Sequence, residues 1–230
     1  MARANVGTSS CIIRRVPLTR RELLSGVIAT TAAAFSAKLS LAQETTALRI
    51  NPARLQQSLE GLSVYGRPSG GTFADGVSRV AYSDADVAGR KYAMDVMRAA
   101  GLDPRIDTAG NITTVRPGSD ASLKPILVGS HIDSVPSGGN FDGDLGSMSA
   151  IEVMHTLHDR KVTTRHPLQT VIWQDEEGGL VGSRIAAGDS PDLERRYNGI
   201  RLADGLRKIG GDPARLEQAR IAPGSFRCYL

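Results

Sequence analysis

Residues 125–136 read PILVGSHIDSVP, a compact apolar run that ends in a histidine and an aspartate. An apolar run such as 125–129 is typical of a strand that is covered on both faces of a mostly parallel sheet. A second apolar strand is predicted at 168–173, and residues 145–157 have the pattern of a helix. The order strand, loop, helix, strand predicts an α/β fold with a mostly parallel sheet and flanking helices.

Weaker patterns surround this unit. Apolar residues at helical spacing predict further helices at 51–62, 84–100, 202–209 and 213–219. Extended segments are predicted at 105–107 and 111–115, as a hairpin or strand pair, and at 226–230. Residues 65–78 are rich in glycine and serine and have no period, so they form either a loop or a binding segment.

Charge and aromatic content argue against a nucleic-acid partner. The formal net charge is +4, but residues 1–42 hold six Lys and Arg against one acid, Glu22. The rest of the chain therefore carries a net charge of −1, and aromatic residues make up only 4% of the sequence. Neither a basic surface nor a base-stacking surface is indicated.

The first 42 residues have the pattern of an export signal. Arg20 and Arg21 form a twin-arginine pair, and a mildly apolar stretch follows at 23–35 that is too short to span a bilayer. Small residues at 40 and 42 suit cleavage after Ala42. We expect residues 1–42 to be a twin-arginine signal and residues 43–230 a periplasmic or secreted chain; the alternative is an amino terminus that stays attached.

Acidic and imidazole side chains follow both predicted strands. His131 and Asp133 follow the first strand, Asp142 lies between glycines, and Glu176 and Glu177 follow the second strand. Because the carboxyl ends of parallel strands meet in one crevice, these side chains are expected to converge. One imidazole and several carboxylates suit a borderline divalent cation, with zinc as the first choice. Such a site with a free glutamate favours hydrolysis of an amide-like bond without a covalent intermediate.

Three segments together resemble one enzyme group. HIDSVP at 131–136, the Gly-Gly-x-x-Asp-Gly pattern around Asp142, and EEG at 176–178 are similar to the N-carbamoyl-L-amino-acid hydrolases and allantoate amidohydrolases. This group is related to the co-catalytic zinc carboxypeptidases and aminoacylases. The resemblance implies a zinc-exopeptidase-like catalytic domain within 43–230 that hydrolyses C–N bonds of N-carbamoyl amino acids or allantoate-like small molecules.

The resemblance also implies a role for each residue of the site. His131 would bind one metal ion, Asp142 would bridge two, and Glu177 would bind the second. Glu176 would be the general base and acid, and Asp133 would orient His131. Two divalent metal ions are implied, with zinc expected and manganese, cobalt or nickel as alternatives.

Other parts of the family pattern are not found in this sequence. The resemblance implies that members of the family have two more metal-binding histidines, one after a strand like residues 228–230 and one near the carboxyl terminus. It also implies a separate lid and dimerisation domain in those proteins. We therefore expect a truncated catalytic domain that holds fewer than two tightly bound metal ions and shows little turnover by itself. Relatives of full length are expected to form homodimers, which is not implied for this chain. The alternatives are a metallopeptidase or N-acyl-amino-acid deacylase, and an inactive remnant.

Four other polar residues are interpreted as structural. His155 and His158 share a helix face whose spacing could bind metal, but an exposed face is the simpler interpretation. Asp144 is expected to start a helix, and Asp175 to be a structural neighbour of the glutamate pair.

Overall fold

A computed structural model describes residues 48–230, and residues 1–42, predicted to be the export signal, lie outside this range. The helices are α1 (Pro52–Ser63), α2 (Asp84–Ala99), α3 (Asp144–Asp159), α4 (Glu176–Gly179), α5 (Val181–Ala186) and α6 (Leu202–Lys208), with a 3-10 turn at Leu216–Ala219. The strands are β1 (Arg105–Ile106), β2 (Ile112–Arg116), β3 (Ile126–His131), β4 (Leu168–Trp173), β5 (Arg196–Tyr197), β6 (Ile200–Arg201) and β7 (Cys228–Tyr229).

The main sheet has the strand order β1-β2-β4-β3-β7. β3 runs parallel to both β4 and β7, whereas β1 pairs with β2 and β2 with β4 in antiparallel fashion. The predicted α/β fold with flanking helices is confirmed. The parallel part of the sheet consists of β3 and its two neighbours, β4 and β7. An antiparallel edge on an otherwise parallel sheet is common in α/β proteins, and here the short β1–β2 hairpin forms it.

The unit that decides the fold is β3-α3-β4. The register pairs Ile126 with Leu168 and His131 with Trp173, so the two strands end side by side. Parallel neighbours need a crossover connection, and α3 supplies it. α1 and α2 pack against α3, and the core between the helices and the sheet contains the fully buried side chains of Leu62, Met97, Ile112, Ile132, Met148, Ile151, Met154 and Ile172.

Side-chain caps begin the first two helices where the sequence predicts them. The Asn51 side chain accepts a hydrogen bond from the Arg54 backbone N–H at 3.1 Å, and Pro52 occupies the first helical position. Ser83 accepts one from the Asp86 backbone N–H, also at 3.1 Å. These local interactions explain why the predicted and observed helix starts agree closely.

The part of the chain after residue 188 is less regular than the sequence pattern predicts. In place of the helix predicted at 213–219 the structure has a 3-10 turn at Leu216–Ala219. Before it, the Asp212 carboxylate accepts the Ala214 N–H in a local turn. A small hairpin, β5–β6, was not predicted. The buried side chains of Tyr82, Ile185 and Leu206 join these segments in a second apolar cluster.

None of the helices within residues 48–230 combines the length and the apolar character that crossing a bilayer requires.

Candidate metal centre

The ends of β3 and β4 carry the polar residues that the sequence singles out. His131 is the last residue of β3, and α4 begins at Glu176, three residues after the end of β4. The parallel register of the two strands places both at one edge of the sheet. Asp142 lies just before α3, which packs against β3.

His131 is the centre of this cluster. Its Nε2 atom lies 3.6 Å from an Asp142 carboxylate oxygen and 3.7 Å from a Glu176 carboxylate oxygen. The imidazole is buried, whereas the Asp142 side chain is 74% exposed, so the cluster opens to solvent on the aspartate side. The structure therefore brings together three of the five residues proposed for the site around one imidazole nitrogen.

Asp133 contacts both parts of the cluster. Its backbone carbonyl lies 3.1 Å from His131 Nδ1, closer than its carboxylate, which is 3.6 Å away. The carboxylate instead accepts the backbone N–H of Glu176 at 3.2 Å and that of Glu177 at 3.1 Å. The family resemblance implies for Asp133 an orienting role toward His131 alone. Its contacts with the glutamate pair are not predicted from the sequence, because these residues are more than 40 positions apart.

Glu177 lies near the other acidic groups. Burial and the negative charge of Asp142 raise the pKa of the Glu177 carboxyl above its ordinary value. The charge of Asp142 thus disfavours a second negative charge on Glu177. A cation bound between them would relieve it.

The electrostatics of the imidazole follow from its neighbours. Burial disfavours the protonated ring, but the hydrogen bond and charge of Asp133 and the charge of Glu176 outweigh it and raise the pKa of His131 to about 9. The ring of the metal-free chain therefore carries a proton at neutral pH. A metal ion that binds Nε2 must displace that proton.

The short helix α4 is held in place from both ends. Asp175 before it and Leu180 after it have positive φ angles of 53° and 56°, a conformation unfavourable for residues other than glycine. Arg195 donates a hydrogen bond to the Gly178 carbonyl at 2.7 Å, and Asp133 accepts the two N–H groups at the start of the helix. Burial, with the charge of Asp133, raises the pKa of Asp175 to about 7.

Gly143 lets the loop approach the imidazole. Its φ angle is +67°, and a Cβ atom at this position would lie 2.4 Å from His131 Cε1. No side chain fits there, so a glycine next to Asp142 is required by the close contact as well as by the turn.

A buried arginine connects the loops behind the site. The Arg79 guanidinium is fully buried and donates to Asp144 at 2.5 Å and to the Ile132 carbonyl at 2.5 Å. It also donates to the carbonyls of Leu62 and Tyr65 at the end of α1. Ile132 lies between His131 and Asp133, so Arg79 ties the end of β3 to the start of α3. No sequence pattern distinguishes this arginine from a surface one.

The remaining histidines lie elsewhere. His155 Nε2 is 3.7 Å from Asp159 on the same helix, next to an ion pair between Arg54 and Glu152. His166 Nδ1 contacts the Lys124 carbonyl at 2.8 Å. Neither belongs to the cluster around His131, and Asp144 begins α3 as predicted.

The metal-binding side chains at this site suit a divalent cation, but they are few. An imidazole nitrogen beside a carboxylate is a pair that zinc and similar ions accept. Within residues 48–230, however, no three His, Cys, Asp or Glu side chains are grouped so as to hold a metal ion. His131 and Asp142 are adjacent, while Glu177 is close without completing a three-residue group in this conformation.

Comparison with known proteins connects this geometry with one family. The sequence profile of peptidase family M28 matches residues 111–206, which include β3, α3, β4 and α4. The chain is 39% identical over 190 residues to the N-carbamoyl-L-amino acid amidohydrolase of Geobacillus stearothermophilus, covering 79% of this chain and 45% of that protein. It is 33% identical over 149 residues to the ureidoglycolate hydrolase of Arabidopsis thaliana, covering 62% of this chain and 30% of that protein.

The same relationship holds in three dimensions. A hydantoinase/carbamoylase family amidase from Burkholderia ambifaria superimposes with a TM-score of 0.69 at 35% identity, covering 80% of this chain and 45% of the other. The chain thus spans a little under half the length of the Geobacillus and Burkholderia proteins. Fold and sequence agree: in both, the chain is similar to the N-carbamoyl-L-amino-acid amidohydrolases and related amidases, a class of metallo-hydrolases.

Proposed function

We propose that this chain carries part of the active site of a metal-dependent hydrolase of C–N bonds that acts on N-carbamoyl amino acids or related ureido compounds. The observation that supports this most strongly is the cluster of His131, Asp142 and Glu176, whose polar atoms lie within 3.7 Å of one imidazole nitrogen. The names of the relatives support the same reaction class.

Each residue has a defined task in this proposal. His131, Asp142 and Glu177 would hold the metal ions, for which zinc suits the mixed nitrogen and oxygen donors. A divalent cation at this position supplies Lewis-acid polarisation of the substrate carbonyl. Glu176 accepts a proton from the attacking water and passes it to the departing nitrogen. Asp133 holds Glu176 and Glu177 near His131, because its carboxylate accepts hydrogen bonds from the backbone N–H groups of both glutamates.

An assay of ammonia release tests the proposal. The chain is incubated with zinc, manganese or cobalt and with N-carbamoyl-L-amino acids, N-acetyl-L-amino acids or dipeptides, and the products are quantified. We expect little turnover from this chain alone. In a chain completed with the carboxyl-terminal part of a full-length relative, we expect ammonia from N-carbamoyl substrates only, abolished by a chelator and by Glu176→Gln, while the variant keeps the wild-type metal content. Glu60→Gln on exposed α1 is the matched control and is expected to be neutral.

The match to a peptidase family profile favours a second candidate, a metallopeptidase or N-acyl-amino-acid deacylase with the same residues. Products from dipeptides or N-acetyl substrates, with none from N-carbamoyl substrates, would establish that alternative. No product from any substrate with the completed chain, together with less than one bound metal per chain, would identify a noncatalytic domain. A loss of bound metal in Glu176→Gln equal to that in His131→Ala would contradict the separate roles given to these residues.

We also propose that residues 1–42 direct twin-arginine export, which carries folded proteins and suits a chain that collects metal first. The support is the Arg20-Arg21 pair followed by a short, mildly apolar stretch. Replacing both arginines by lysine should leave the uncleaved chain in the cytoplasm of an expressing bacterium. Unchanged export would overturn the assignment.

A further inference from the structure

Two buried polar atoms lie close to the short helix that carries the glutamate pair. The Tyr82 hydroxyl and the Asp175 carboxylate oxygen Oδ1 are inaccessible to solvent, and neither makes a hydrogen bond of ordinary geometry within residues 48–230. The two residues are only 1% and 2% exposed. Because an unpaired polar atom in the interior is unfavourable, both atoms call for a partner.

Both side chains line the same small cavity. Its volume of about 10 Å³ gives room for one water molecule. Burial and, after it, the negative charge of Asp175 raise the pKa of the Tyr82 hydroxyl, so this group keeps its proton and can donate a hydrogen bond at neutral pH. The wall of the cavity consists of Tyr82, Asp175, Val181, Arg195, Tyr197 and Leu202.

The composition of this wall decides what the cavity can hold. Val181 and Leu202 contribute apolar surface, and Arg195 already supplies a positive charge, which disfavours a metal cation. The volume excludes any organic ligand. A water molecule both donates and accepts hydrogen bonds, so one water can satisfy the Tyr82 hydroxyl and the Asp175 carboxylate together.

Tyr82 is held rigidly at one side of the cavity. Its backbone N–H donates to the Asp86 carboxylate at 2.8 Å. Its ring packs on Gly205 of α6, where an added Cβ atom would lie 2.6 Å from the ring atom Cγ. The φ angle of Tyr82 is +66°, an unfavourable conformation for a tyrosine that these contacts maintain. The hydroxyl is therefore a fixed point beside α4.

Asp175 connects this fixed point with the glutamate pair. It directly precedes Glu176, and its left-handed backbone sets the direction in which α4 begins. Its Oδ1 atom also packs against Gly178 of α4, where a Cβ atom would collide with it. A displacement of Asp175 would therefore move Glu176 and Glu177 as well.

We propose that one enclosed water molecule bridges Tyr82 and Asp175, and that Tyr82 thereby positions α4 with Glu176 and Glu177. This inference rests on the proposed function for the tasks of the two glutamates and adds a positioning residue to them. Tyr82 contacts neither the metal ions nor the substrate in this proposal.

A crystal structure, NMR spectra and zinc titration test the bridge without requiring turnover. High-resolution electron density should show one ordered water within about 3 Å of the Tyr82 hydroxyl and of Asp175 Oδ1. In Tyr82→Phe this water should be lost, and the backbone amide signals of Glu176 and Glu177 should shift. The zinc affinity should fall about tenfold, as for other residues that orient metal ligands from behind.

Tyr92→Phe is the matched control for Tyr82→Phe. It removes a tyrosine hydroxyl that donates to the Ser58 carbonyl at 3.3 Å, between α1 and α2. The water in the cavity, the amide signals of the glutamate pair and the zinc affinity should all stay as in the wild type. A general loosening of the fold would affect both variants alike, whereas the bridge predicts an effect of Tyr82→Phe only.

A double-mutant cycle asks whether Tyr82 acts through Asp175. Asp175→Asn should fold, because asparagine tolerates the left-handed conformation of this position. In this background Tyr82→Phe should lower the zinc affinity by less than about threefold, against about tenfold in the wild type.

Three results would each overturn the bridge. They are a wild-type cavity without an ordered water, an equal effect of Tyr82→Phe in both backgrounds of the cycle, and amide signals of Glu176 and Glu177 that do not move in Tyr82→Phe. Failure of the proposed function is read separately, as absent ammonia release from the completed chain while these amide signals still respond to Tyr82→Phe.

Discussion

The carboxylate of Asp133 accepts a hydrogen bond from the backbone N–H of Glu177 at 3.1 Å, and its other oxygen accepts that of Glu176 at 3.2 Å. One buried side chain thus joins the end of β3 to the start of α4. Through its backbone carbonyl the same residue also contacts the His131 ring. Asp133 is therefore a positioning residue for the glutamate pair as well as for the imidazole.

Asp133→Asn should damage this arrangement without changing its volume. The amide keeps one acceptor oxygen but turns an NH₂ group toward a backbone N–H, which leaves a buried donor unpaired. We expect the free energy of unfolding to fall by about 1–3 kcal/mol and the zinc affinity to fall about tenfold or more. Denaturant unfolding and calorimetric zinc titration measure the two effects.

Asp120→Asn is the control for this variant, because Asp120 makes a similar contact with the Ser122 N–H in an exposed turn. Its zinc affinity should equal that of the wild type. If Asp133→Asn retains full zinc affinity, the two backbone contacts do not position the site.

The Arg79–Asp144 pair should be worth more than a surface ion pair. Both side chains are buried, at 0% and 1% exposure, so Asp144→Asn leaves a guanidinium charge without compensation. We expect a loss of about 3–5 kcal/mol in the free energy of unfolding. Asp95→Asn, which breaks an exposed pair with Arg98, should cost less than about 1 kcal/mol. Equal losses in the two variants, measured by urea unfolding, would mean that the buried pair does not stabilise the loops.

Gly143→Ala should displace His131. The new Cβ would lie 2.4 Å from the ring in a backbone conformation with φ of +67°, so either the ring or the loop must move. We expect about 1–3 kcal/mol of destabilisation and a changed NMR shift for the His131 ring.

Gly139→Ala is the matched control for Gly143→Ala, since its Cβ meets no atom within 4 Å. This substitution should be neutral or slightly stabilising. An unperturbed His131 signal in Gly143→Ala would show that the loop relaxes without affecting the site.

Glu152 should make the fold more stable at neutral than at acidic pH. Burial opposes ionisation of its carboxyl, but hydrogen bonds from Arg54, the Asn51 backbone and Thr156 outweigh burial and lower its pKa below the ordinary 4.5. A group whose pKa is lowered on folding stabilises the folded state above its unfolded pKa. This contribution to stability is lost as the pH falls below about 4.5, the ordinary pKa, and then through the lowered pKa of the folded state.

The measurement is the difference in unfolding free energy between the wild type and Glu152→Gln as a function of pH. This difference should be largest near neutral pH and shrink on acidification below about 4.5. Glu217→Gln, at an exposed position of the 3-10 turn, should show no such dependence. A difference that is constant from pH 7 to pH 3 would contradict the role given to Glu152.

The sequence predicts the elements that have local causes. The apolar runs of β3 and β4 and the helical spacing at 51–62 and 84–100 are visible in the residues themselves, and the observed elements lie close to the predicted ones. The convergence of His131 and Glu176 follows from one topological rule about parallel strands, so it is also predictable. The left-handed Asp175 and Leu180 around α4 have no such pattern, because their conformation is imposed by contacts with distant residues.

The amino-acid sequence by itself determined the strand–helix–strand unit, the residue types at its strand ends and the resemblance to one enzyme group. Only the tertiary structure decided that Asp133 binds the backbone of Glu176 and Glu177, that Arg79 pairs with Asp144 in the interior, and that Phe73 and Phe141 form one aromatic surface. The physical reason is that these contacts join residues 43 to 68 positions apart in the chain. Their partners are selected by packing and by the need to satisfy buried polar groups, which no local pattern encodes.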